Sequence, residues 1–121
     1  MNAKRPFAAL LLAGAAFAAH AADSAPITGC VDLGGHQEII RAGSVQSMLL
    51  RNDDAYYRLG FRRDCSSLAT ASSIEISTGG AANRLCPEGS KVKTNRATCP
   101  VATVESIDAE QYATLKKRAS R

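Results

Sequence analysis

Residues 45–61 read V-Q-S-M-L-L-R-N-D-D-A-Y-Y-R-L-G-F, from Val45 to Phe61, and this stretch decides the fold class. The run over 45–51 is apolar and short, and Asn52-Asp53-Asp54 supplies turn chemistry directly after it. The chain then alternates. Tyr57, Leu59 and Phe61 share one face, Tyr56 and Arg58 the other, which is the period-2 pattern of a strand with one side buried. Two such runs around a polar turn predict a hairpin.

Working outward, the same punctuation recurs. Cys30-Val31-Asp32-Leu33 is a short extended segment ended by Gly34-Gly35. Residues 66–71 fit a short helical turn, and Ile74-Glu75-Ile76 alternates until Gly79-Gly80. Arg84-Leu85-Cys86 resumes a strand, Pro87-Glu88-Gly89 turns it, and Lys91-Val92-Lys93 is a strand with a charged outer face. Residues 100–107 form a last strand carrying Val101, Val104 and Ile107. Asp108 then caps a helix whose Tyr112 and Leu115 fall on one side, at i and i+3. The pattern predicts a mainly β chain, a small disulfide-stapled β-sandwich or barrel-like domain of five to seven short strands with a short C-terminal helix. No internal repeat or linker divides residues 22–121. The expected ordered core spans about residues 29–115, and a basic tail follows over 116–121.

Residues 1–21 have the three parts of a secretory signal peptide. Lys4 and Arg5 form the positive start, residues 6–19 are apolar and uncharged, and Ala19-His20-Ala21 fits the small-x-small requirement of signal peptidase. Cleavage near Ala21 makes the expected location periplasmic or secreted. Ile27-Thr28-Gly29-Cys30 also matches the pattern cut before a lipid-modified cysteine, but Asp23, Ser24 and Pro26 separate it from the apolar stretch. No stable membrane anchor is expected unless Cys30 is lipidated.

Cys30, Cys65, Cys86 and Cys99 all follow the signal. An even number in a small exported chain reads as disulfides. The intervening segments are 34, 20 and 12 residues, so no close pair offers a zinc ligand set or a C-x-x-C redox motif. Neither metal nor cofactor is expected. Three pairings are open. Cys86–Cys99 is preferred because the segment between them reads as a hairpin, which leaves Cys30–Cys65. Leu, Ile, Val and Phe number only 19 in residues 22–121, a thin core that needs such staples.

His36 is the only imidazole beyond the signal and would have to serve any hydrolytic triad as its base; it follows two glycines in a stretch that reads as an exposed loop, with no G-x-S-x-G elbow anywhere. Asp53-Asp54 reads as a polar hairpin tip, since adjacent strand residues point apart. Tyr56 and Tyr57, with Arg51, Arg58, Arg62 and Arg63, form the one basic-aromatic concentration, and Tyr56, Arg58, Arg62 and Arg63 are the candidate binding face. Residues 22–115 hold 9 Lys/Arg against 11 Asp/Glu, a poor field for phosphate backbones, so nucleic acid is not an expected partner.

The order of a signal peptide, C-V-D-L at 30–33, Y-Y-R-L at 56–59 before Cys65, Arg84-Leu85-Cys86 and a final Cys99 strand resembles the small exported bacterial proteins of domain-of-unknown-function family 6491. The likeness covers residues 29–107. It implies a disulfide-stabilised exported β protein and brings no activity, cofactor or site. In that family a small residue, Gly and Asp follow the third cysteine. Pro87-Glu88-Gly89 departs from this, so no role tied to that Asp carries over.

The resulting expectation is a non-enzymatic envelope protein that binds an envelope protein or ligand, as yet unknown, through a sheet face. The alternatives are a secreted enzyme inhibitor or hydrolase-associated factor, inserting an exposed loop over residues 33–44 into its target, and a hydrolase using His36.

Overall fold

The computed structural model describes residues 24–41 and 46–120. The stretch expected to be a signal peptide, its expected cleavage site and Arg121 lie outside the described residues, as do residues 42–45. In chain order the elements are β1 (Ala25–Pro26), β2 (Val31–Asp32), β3 (Gln37–Ile40), β4 (Ser47–Asn52) and β5 (Ala55–Phe61). A 3₁₀ turn (Ser66–Thr70) leads to β6 (Ile74–Thr78), β7 (Ala81–Ala82), β8 (Arg84–Leu85), β9 (Ser90–Thr94) and β10 (Thr98–Ile107). The helix α1 (Ala109–Ala119) closes the described chain.

Eight strands make one antiparallel sheet in the order β3-β4-β5-β10-β9-β6-β7, curled into a half-barrel, with β1 added along β10, and β2 and β8 pair as a separate two-stranded sheet. Of the two expected architectures, the barrel-like one is present. The hairpin of residues 45–61 is β4–β5, closed by the Asn52–Ala55 pair, with Asp53 at φ 55° in the left-handed region that Asp tolerates. Gly79 and Gly80, at φ 58° and 83°, form the two-residue turn between β6 and β7, where both positions need positive φ.

β10 makes the curl. Its first three residues pair with β9, whereas Val101 onward pairs with β5. A bulge between Val101 and Thr103 adds a residue at the changeover and bends the strand there. Pro100, which has no N–H for a ladder, stands at the same point.

The concave face holds the core: Met48, Leu50, Leu59, Leu68, Ile76, Leu85 and Val92 are all essentially inaccessible. Leu49 is equally buried although it lies on the other side of β4. It packs with Ile107 and Tyr112, because α1 lies on the outer face of the sheet. The unbroken Met48-Leu49-Leu50 run is thus a strand covered on both sides. Asp108 caps α1 as expected, its Oδ1 accepting the Gln111 N–H at 2.7 Å. Lys116 to Arg118 belong to the helix, where their charge suits its C-terminal end; the basic segment is not a separate tail until after Ala119.

The disulfides correct the expected pairing. Cys30 bonds to Cys86 and Cys65 to Cys99. The cause is register. β2 pairs with β8 so that Val31 faces Leu85 and Asp32 faces Arg84, and one step back Cys30 faces Cys86. The expected β9–β10 hairpin exists, but Cys99 stands opposite Val92, and Cys86 precedes the hairpin, beyond the 87–89 turn. Closing loops of 56 and 34 residues, each bridge contributes about 4 kcal/mol in the chain-entropy model.

Candidate functional site

The outer face of β4, β5 and β10 carries Ser47, Leu49 and Arg51; Tyr56, Arg58 and Gly60; and Thr103, Glu105 and Ile107, as the cross-strand pairs require. α1 divides this face. Towards the Asn52–Ala55 end the helix covers it, and Tyr112 stacks on Tyr56 with ring centroids 4.9 Å apart at 46°. The other half is open.

The covered half is fastened at Glu38 on β3. One carboxylate oxygen accepts the Tyr112 hydroxyl at 2.9 Å, and the other accepts Lys116 Nζ at 3.1 Å. The Tyr112 hydrogen bond, followed by that of Lys116, holds the Glu38 carboxyl below its usual range. Burial, reinforced by the same carboxylate, pushes the Tyr112 phenol far above its ordinary value. Burial alone raises Tyr57 on the core face.

The open half contains a depression of about 560 Å³ lined by Arg58, Arg62, Arg63, Asp64, Ser47, Thr103 and Glu105 around Gly60 and Phe61. Gly60 sits tight against its neighbour: a Cβ there would stand 2.5 Å from Thr103 Oγ1, so the Thr103 side chain would have to turn. Lys116–Glu38 is the one ion pair among the described residues. Arg58, Arg62 and Arg63 are exposed and form neither an ion pair nor a side-chain hydrogen bond with any described residue, although Glu105 is the cross-strand neighbour of Arg58. Three rigid, permanently charged donor forks thus surround one hollow.

Three of the four residues expected to form a binding face therefore meet. Tyr56 does not join them, because α1 occupies its side of the sheet and Tyr112 takes its ring. A smaller hollow of about 320 Å³ adjoins the first through Arg63 and Asp64 and runs along the Cys65–Cys99 bridge. There the Ser67 hydroxyl lies 3.9 Å from each sulfur and accepts the Thr94 hydroxyl at 3.0 Å.

The expected loop over residues 33–44 is corrected where it is described. Leu33 is buried and Gln37–Ile40 is a strand paired along its length with β4, while residues 42–45 lie outside the described residues. Ile39 packs against the core and Ile40 on the helix side of the sheet. His36 is exposed just before β3, and its side chain engages no carboxylate among the described residues. Asp53 and Asp54 are an exposed turn. Cys30 has its sulfur committed to Cys86, leaving no thiol for a lipid. Among the described residues no three His, Cys, Asp or Glu side chains gather as a metal site, and no helix is long and apolar enough to cross a membrane.

Glu38 is the residue that sequence reasoning passed over. The Met48-Leu49-Leu50 run was its indirect signal, since a strand buried on both sides needs an element on its outer face and something to hold that element there.

The chain is thus a disulfide-stapled half-barrel with a helix clamped on half of its outer face and an arginine-lined hollow in the other half. No family model matches it, and neither does any curated protein or solved structure.

Proposed function

We propose that this chain is an exported, non-enzymatic binding module of the bacterial envelope, which holds an anionic partner in the arginine-lined hollow of its outer sheet face. The observation that carries the reading is the set Arg58, Arg62 and Arg63, three cations with no carboxylate partner in the described structure, around a floor kept open by Gly60. Guanidinium forks left unpaired at a surface hollow suit carboxylate or phosphate groups brought by a partner. The two disulfides support export, since such bridges persist in oxidising compartments. Kinship with family 6491 is part of the same proposal and rests on the order of the four cysteines.

The test is retention of the exported protein on isolated cell-envelope sacculi across a salt series, alongside an Arg58→Ala/Arg62→Ala/Arg63→Ala variant. Retention of the wild type at low salt, its loss as salt screens the contact, and absence of retention in the variant are expected. Equal behaviour of the two proteins would remove the hollow from the account.

A further inference from the structure

We infer that the hollow is built for a charged sugar, a hydroxyl-rich unit bearing a carboxylate or phosphate, rather than for a bare anion. The inference rests on the reading that this face binds, and it concerns what the face recognises. Arg58, Arg62 and Arg63 account for the anionic group. They do not account for Asp64 and Glu105, which line the same hollow and would repel a simple anion. Carboxylates accept hydrogen bonds, so their presence beside three donor forks calls for a ligand that also donates.

The hydroxyls of Ser47 and Thr103 complete a lining of mixed donors and acceptors. A ring of sugar hydroxyls supplies the matching donors, and its acidic group supplies the acceptor for arginine. The volume, about 560 Å³, falls within the roughly 300–1,000 Å³ typical of small-ligand pockets.

The experiment is an NMR titration of the exported, disulfide-bonded protein, following backbone amides and arginine Nε–H signals. The probes are a galacturonic acid trimer, glucose 6-phosphate and neutral maltotriose, all at one ionic strength, with sodium chloride alone as reference. Saturable shifts at Gly60, Thr103 and the three arginines are expected with at least one charged sugar. The two charged probes separate a carboxylate from a phosphate source. Arg62→Ala/Arg63→Ala, which alters only exposed side chains beyond β5, should weaken binding about ten-fold or more, the scale of one charge-assisted hydrogen bond.

Maltotriose binding as well as the charged probes, or charged sugars shifting the spectrum no more than sodium chloride, overturns the inference. The outcome for the parent reading is separate. Arginine-dependent retention on sacculi without charged-sugar binding leaves the face as a binding surface for another anion, whereas loss of both removes the face itself.

Discussion

Glu38 shows how much one side chain organises. Its carboxylate receives Tyr112 and Lys116 from a helix 74 and 78 residues further along the chain, and those bonds hold its pKa below the ordinary 4.5. A carboxyl whose folded-state pKa is depressed stabilises fully above its unfolded value and loses that contribution as pH falls through the lowered one. Hydrogen-exchange protection in α1, measured relative to the intrinsic rate at each pH, should therefore fall below about pH 4.5, before that of the strands. Glu38→Gln should flatten that dependence, and an unchanged profile would place the fastening elsewhere. Tyr112→Phe keeps the ring against Tyr56 and removes the donor, so denaturant unfolding should show a loss of about 1 kcal/mol. Residues of this kind were legible only in part. The alternation of residues 56–61 located Tyr57 and Leu59 in the core, and Gly60 inside a strand pattern was itself a sign of close approach. Nothing in the order of residues says that Tyr56 turns towards a helix more than fifty positions later, because that contact depends on where the sheet leaves its outer face uncovered.

Between elements, register carries the information that intervals between cysteines lack. The 12 residues between Cys86 and Cys99 suggested a bridged hairpin, and the hairpin is real, yet a one-strand offset sends Cys86 to β2. Loop entropy could not choose between pairings, since its dependence on length is logarithmic. The short runs C-V-D-L and R-L-C do contain the answer once they are set antiparallel: Val31 meets Leu85, and both cysteines fall at the end of the ladder. Replacing Cys30 and Cys86 together by Ser, or Cys65 and Cys99 together, should each cost about 4 kcal/mol in chemical denaturation. A negligible loss from either pair would show that the core suffices without it. Leu59→Ala, at a position with no accessible surface, should cost about 2–5 kcal/mol by the same measurement. The strand β3 was hidden by its neighbours Gly34, Gly35 and His36, which read as loop, while its own Gln37-Glu38-Ile39-Ile40 shows no apolar–polar alternation, because both isoleucines are covered, one by the core and one by the helix side.

At the scale of the molecule, a sheet with few large apolar residues solves two problems at once. Bending at the bulge between Val101 and Thr103 lets β5 and β9 share β10 and enclose one core, and the helix seals half of the surface that the bend leaves outside. Composition and turn spacing made the mainly β class and the terminal helix legible, because both are local patterns. The single curled sheet follows from one strand pairing with different neighbours along its length, which is not local. The hollow is a consequence of the same geometry: it is the part of the outer face beyond the reach of α1, furnished with arginines that form no ion pair with any described residue.

The pairing of the cysteines supports all of this, and it is directly measurable. Peptide mass mapping of the oxidised protein, digested without reduction, should find the Cys30 peptide joined to that of Cys86 and the Cys65 peptide joined to that of Cys99. Peptides joining Cys30 to Cys65 and Cys86 to Cys99, or four unmodified thiols, would contradict the architecture described.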